Sequence, residues 1–160
     1  MEKQKITTQE QLDDFYPALE EIWQEVFTPI IGSEQVEYML ENYQSKEIIM
    51  QEIHAGVNYY ALILNNKYVG YIAYEISSDS LYLSKIYIIN EYRGQGFMRE
   101  IFNWFDELAQ EYGLKQRLRV NQGNTRAIRV YQHLGFKLLQ EAISDIGQGF
   151  QMVDYVFEKE

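Results

Sequence analysis

The stretch LYLSKIYIINEYRGQGFMREIFNWFDELAQEYG, residues 81–113, changes its period partway along. Its first nine residues carry branched and aromatic side chains in the manner of a strand. From Phe97 onward Ile101, Trp104, Phe105, Leu108, Ala109 and Tyr112 form one helical stripe, which Gly113 closes as a C-terminal cap. Between the two lie Arg93, Gly94, Gln95 and Gly96. A strand, a glycine-rich turn and a helix N-terminus in that order make an anion site, because free backbone N–H groups and the helix dipole converge there. Phosphate or pyrophosphate suits such a site. Gly94 and Gly96 let the backbone come close to it, and Arg93 adds charge at the rim. Two other phosphate loops do not fit: no Gly-Lys-Ser or Gly-Lys-Thr is present, and the dinucleotide fingerprint needs its third glycine where Arg99 stands.

Toward the N-terminus, the runs Val57–Leu64, Tyr68–Ser77 and Ser80–Ile89 read as strands, and the short joints at Asn65-Asn66 and Ser78-Asp79 make them an antiparallel meander. Before them, Leu12, Phe15, Tyr16, Leu19, Ile22, Trp23 and Val26 predict an amphipathic helix over Gln9–Phe27, broken by Pro29 and Gly32. A second helix starts near Ser33 and turns Val36, Met39, Leu40 and Tyr43 inward; a short one spans Lys46–His54. Toward the C-terminus, Gln116–Asn121 reads as a strand, Asn124–Leu134 as a helix capped by Asn124, and Phe136–Glu141 and Phe150–Glu158 as final strands. The order is strand, two or three helices, three strands, helix, strand, helix, two strands. It describes a single α/β (α+β) domain over residues 1–160, with a mixed, mostly antiparallel central sheet flanked by helices.

Composition narrows the partners. The chain has 14 Lys and Arg against 24 Asp and Glu, a net charge of -10 that repels phosphate backbones, so nucleic acid is not expected. It has no cysteine, which removes disulfides, thiolate zinc sites and a cysteine nucleophile and fits a reducing compartment such as the cytoplasm. No run nears the ~20 apolar residues that span a bilayer, and no membrane partner is expected. His54 and His133 have no companion at metal-ligand spacing, so no metal is inferred.

A second motif gives the loop a context: Asn124, Ala127, Tyr131, Gly135 and Phe136 follow the pattern Asn-x-x-Ala-x-x-x-Tyr-x-x-x-Gly-Phe. This segment, with Arg93–Gly96 at the right distance before it, resembles the GNAT superfamily of N-acetyltransferases. The likeness is good from Val57 onward and looser over the helical N-terminal third. It implies acetyl-coenzyme A as cosubstrate and a small primary amine as acceptor, whether polyamine-like, an amino acid or a peptide N-terminus. It implies that Ile86, Tyr87 and Ile88 pair with the pantetheine arm, and that Arg93, Gly94, Gln95, Gly96, Phe97 and Met98 hold the pyrophosphate. Asn124 resembles the family asparagine near the coenzyme. Tyr131 resembles its general acid, which protonates the departing thiolate. By the habit of the family, a homodimer is also implied.

Two positions depart from the family. Met98 stands where Gly or Ala is usual, and the strand before the loop carries Tyr82, Ser84 and Lys85 where a carboxylate base is often found. Glu75 on the preceding strand is the substitute candidate, beside a water relay. A coenzyme-binding sensor without efficient transfer is the alternative that these departures leave open. The tail from Asp145 to Tyr155 resembles a bacterial branch that includes polyamine acetyltransferases. Asp145 and Asp154 are candidates to attract a cationic amine, and solvated loop carboxylates on a glycine-rich hairpin are the other reading of them, which the residues favour. Tyr59, Tyr71 and Tyr87 are candidates to line a substrate cleft.

Overall fold

The computed structural model describes residues 1–160. A seven-stranded sheet runs in the order β1-β2-β3-β4-β5-β7-β6, built from β1 (Glu2–Ile6), β2 (Asn58–Leu64), β3 (Lys67–Ile76), β4 (Ser80–Ile88), β5 (Lys115–Asn121), β6 (Lys137–Gly147) and β7 (Phe150–Lys159). Every neighbouring pair is antiparallel except β4 and β5. The β2–β3 turn has Asn65 at φ 51° and Asn66 at φ 62°, the two positive values that a two-residue turn of the I′ type requires and that asparagine tolerates. The mixed sheet and the meander match the sequence reading.

Five helices cover the two faces: α1 (Gln9–Ile31), α2 (Ser33–Asn42), α3 (Lys46–His54), α4 (Phe97–Tyr112) and α5 (Thr125–His133). α1 opens with a capping box between Thr8 and Gln11. Pro29 was expected to stop it, yet the helix runs on to Ile31 and ends at Gly32, at φ 85°. A proline near the end of a helix removes one hydrogen bond without preventing the last turn. The strand expected at Phe136–Glu141 also extends further, to Gly147, because β7 supplies ladder partners as far as Phe150.

Alternation along the strands splits the core. Tyr59, Ala61, Tyr71 and Ala73 face α1–α3 and join Leu12, Phe15, Leu19 and Trp23 in one buried cluster. Leu62, Ile72, Ile86 and Ile88 face the other way and join Ile101, Phe102, Phe105 and Tyr131 from α4 and α5. No helix of the chain is long and apolar enough to cross a membrane.

Candidate active site

The site begins where the sheet comes apart. β4 and β5 pair over four positions only, from Ser80 with Lys115 to Leu83 with Leu118. Just beyond, the β3–β4 register shifts, with Ala73 opposite Lys85 and Tyr74 opposite Leu83, so Ser84 is an extra residue on β4. A bulge of this kind bends its strand and increases the local twist, and from here β4 and β5 diverge. The Ile89 N–H donates to the Val69 carbonyl of β3. Strand alternation therefore turns the backbone of Ile86 and Ile88 into the gap and that of Tyr87 toward β3. Gly70 keeps β3 pressed against this stretch: a Cβ there would lie 2.1 Å from the Tyr87 carbonyl oxygen.

On one side of the splay lies a loop cleft of about 230 Å³ that brings together Ile86, Tyr87, Ile88, Arg93, Gly94, Gly96, Phe97, Met98, Asn124 and Tyr131. Gly94 at φ 77° and Gly96 at φ 85° hold a backbone that other residues rarely adopt. Gly96 is the N-cap of α4 and offers no side chain, so the first amides of that helix have no capping side chain and can receive an anion. Arg93 donates from Nε to the Ile88 carbonyl at 2.9 Å. Arg126, on α5, lines the same cleft. Burial first, and then the neighbouring Arg126 charge, push the Arg93 guanidinium below its ordinary value, against the pull of Glu25. Gln95 is the exception among the expected contacts: its side-chain amide bonds back to the Glu91 carbonyl, and its side chain lines neither cleft.

An inner cleft of about 330 Å³ lies on the other side of the splay, and the two clefts share Ile86, Tyr87, Asn124 and Tyr131. Asn124 caps α5, its Oδ1 accepting from the Ala127 N–H at 3.3 Å, and this cap fixes the first turn beside the gap. Tyr131 follows two turns later, its ring edge-on to Phe102 at 5.8 Å and to Phe136 at 6.1 Å. Burial raises its phenol pKa well above the ordinary tyrosine value, so the hydroxyl keeps its proton.

The inner cleft is walled by side chains from distant parts of the chain. A hydrogen-bonded run crosses its back: Trp23 Nε1 donates to Tyr71 Oη (2.7 Å), Tyr71 Oη to Gln44 Oε1 (2.8 Å), Gln44 Nε2 to Tyr59 Oη (3.2 Å), and Tyr59 Oη to Glu52 Oε1 (2.5 Å). Each member leaves its neighbour little freedom, and Glu52 is held in place at the cleft edge. The β6–β7 hairpin closes the far side. Tyr38 and Tyr43 both donate to the Ile146 carbonyl, and the Tyr38 hydroxyl occupies the space where a side chain on Gly147 would start.

Several sequence expectations are relocated. Asp154 is a buried residue of β7 rather than a solvated loop carboxylate; it binds Arg119 Nε at 2.7 Å and lines the inner cleft, and burial raises its pKa against the pull of Arg119. Its ion pair was not foreseen, because the partner is 35 positions away on another strand. Glu75, the candidate base, lies opposite Tyr82 and lines neither cleft; Glu52 and Asp154 are the carboxylates that do. Of the three tyrosines, Tyr87 lines both clefts, while Tyr59 and Tyr71 stand behind the wall as parts of the hydrogen-bonded run. Arg126, Glu52, Lys85 and Arg119 carried no local signal that marked them as part of a site.

With the splayed sheet, the glycine loop and the tyrosine in place, the comparisons agree on the class. The sequence profile described as "Acetyltransferase (GNAT) family" matches residues 16–136. The chain belongs to the GNAT acetyltransferase family. It is similar to the thialysine N-epsilon-acetyltransferase of Bos taurus, 40% identical over 80 residues that cover 46% of this chain and 47% of that protein. It is likewise similar to that of Sus scrofa, 41% identical over 64 residues, 39% of this chain and 38% of that one. The chain thus matches less than half the length of these relatives. Among solved structures, the PaiA N-acetyltransferase of Thermoplasma acidophilum in complex with coenzyme A superposes with a TM-score of 0.78 at 20% identity, covering 100% of this chain and 99% of that one. A GCN5-related N-acetyltransferase from Rhodopseudomonas palustris gives a TM-score of 0.78 at 13% identity, covering 99% and 94%.

Proposed function

We propose that the chain transfers an acetyl group from acetyl-coenzyme A to the primary amine of a small molecule by direct attack, with Tyr131 as general acid. The meeting of the two clefts at Tyr131 carries this reading: a donor in the loop cleft and an acceptor in the inner cleft reach the same hydroxyl. The names of the similar proteins, which are amine acetyltransferases, and of a structural neighbour holding coenzyme A support it.

On this reading the pyrophosphate sits on the first amides of α4, between Arg93 and Arg126. The pantetheine amides extend β4 as an added strand along the backbone edge of Ile86 and Ile88, sharing the Ile88 carbonyl with Arg93. A backbone N–H of that edge polarises the thioester carbonyl, the neutral amine attacks it, and the C–S bond breaks as Tyr131 gives its proton to the thiolate. The ammonium must first lose a proton. Glu52 and Asp154 are better placed to receive it than Glu75, directly or through water.

Thiol release from acetyl-coenzyme A against a panel of amines, for wild type and Tyr131→Phe, tests the assignment. Loss of the acid is expected to lower kcat by roughly 10²- to 10⁴-fold while coenzyme affinity stays the same. Because burial raises the Tyr131 pKa, ionisation of the phenol should cause no fall in rate up to about pH 10. Coenzyme binding with no amine-dependent turnover would instead favour a sensor.

A further inference from the structure

Four acidic or basic side chains line the inner cleft: Glu52, Lys85, Arg119 and Asp154. Arg119 and Asp154 neutralise each other at 2.7 Å. Glu52 is anchored through one oxygen by Tyr59. Lys85 is different. It sits one residue past the β4 bulge, its backbone paired with Ala73, and its side chain runs inward on the Tyr59 face, with Nζ 5.7 Å from the Tyr59 ring centroid. No carboxylate lies within ion-pairing distance of it, and no group of the chain accepts a hydrogen bond from it. The two opposite charges that remain available to a ligand are therefore the Glu52 carboxylate and the Lys85 ammonium.

A cleft built for a polyamine needs surplus carboxylates and no free cation, since a like charge in a partly desolvated space costs affinity. This cleft has a balance of signs, although the chain as a whole carries a net charge of -10. A free cation at this depth calls for an anion from outside. Burial draws the Lys85 pKa down while Glu52 and Glu75 draw it up, so a ligand carboxylate would reinforce the charged form.

We propose that Lys85 is the specificity determinant of the inner cleft and that the acceptor is an amino acid, a primary amine joined to a carboxylate that Lys85 receives. This rests on the acetyltransferase reading for the identity of the amine, but the carboxylate contact can be measured without turnover. Lys85 acts as a recognition residue for the carboxylate, and Glu52, the other charge of the cleft without an ion pair, receives the ammonium.

The test uses matched pairs that differ by one carboxylate, L-lysine with cadaverine and L-ornithine with putrescine. Each is titrated calorimetrically into wild type, Lys85→Met and Lys85→Arg with coenzyme A present, and thermal unfolding of each variant verifies the fold. The expected result is at least about tenfold tighter binding of the carboxylated member by wild type, the share of one charge-assisted contact. That preference should vanish in Lys85→Met and return in Lys85→Arg. Equal or tighter binding of the diamines by wild type, or no binding of either amino acid, overturns the proposal. So does a Lys85→Met variant that keeps the preference and loses only kcat, which would make Lys85 part of the proton path. Thiol release measured on the same samples separates the two readings: preference without turnover sinks the transferase and leaves the carboxylate site standing, whereas turnover without preference does the reverse.

Discussion

The loop cleft takes most of its lining from one run of chain, residues 86–98, and from the first two turns of α5, whereas the inner cleft gathers side chains from α1, α2, α3, β4, β5, β6 and β7. The first presents largely backbone: amides at a helix start, a strand edge that has parted from β5 and glycines at positive φ. The second binds with side chains whose positions depend on one another across the whole fold. A backbone site tolerates changes of side chain and fails with changes of backbone geometry; a site of assembled side chains does the opposite. Substitutions on the two sides should therefore fail differently.

The sharpest contrast is expected at Gln44. Replacing it with Leu leaves Tyr71 without its acceptor and Tyr59 without a donor in a buried wall. We expect a loss of about 2 kcal/mol of stability, read as a fall in Tm of roughly 4–8 °C, with coenzyme affinity unchanged. Equal damage to coenzyme binding would mean that the two clefts are not separable. Next comes Gly96→Ala. Its Cβ meets nothing within 4 Å, so the cost is conformational, at φ 85°. About 1–2 kcal/mol of left-handed strain should weaken coenzyme binding roughly 5- to 30-fold by isothermal titration, and leave selectivity among amines as it was. The smallest effect is expected at Met98→Ala. Met98 lines the loop cleft, and its side chain packs on the α4–α5 core cluster. Coenzyme affinity should change by less than about threefold; a larger gain would show that the Met98 side chain crowds the coenzyme.

The division between the clefts also governs how much could be read from the sequence. Residues 81–113 and 124–136 carry their meaning locally: a strand that becomes a helix, glycines at the turn, an asparagine cap and a tyrosine two turns on. The mixed sheet was legible there, and so were the glycine turn at the start of α4 and the tyrosine that shares its cleft. Pro29 misled because its position relative to the end of α1 is set by the residues that follow it. The burial of Asp154 and the places of Arg119, Glu52 and Lys85 were opaque for a different reason. Nothing in the neighbours of Asp154 announces an ion pair with a residue 35 positions away, and nothing around Glu52 announces the Tyr59 hydroxyl. Glu75 was chosen for its strand, and strand assignment alone does not say which residues the splay exposes.

The β4–β5 junction has a mechanical consequence. Only four residue pairs stitch the meander β1–β4 to the ribbon β5–β7, while the ladders within each half run longer. The sheet is two plates sharing a short seam, and a seam of this kind sets where a fold yields first. Amides bordering the seam should exchange with deuterium well before those deep in β3 or β7. An occupant lying along the open edge of β4 would complete the interrupted weave and slow that exchange in both plates at once, so the molecule should be stiffest while it holds its cargo.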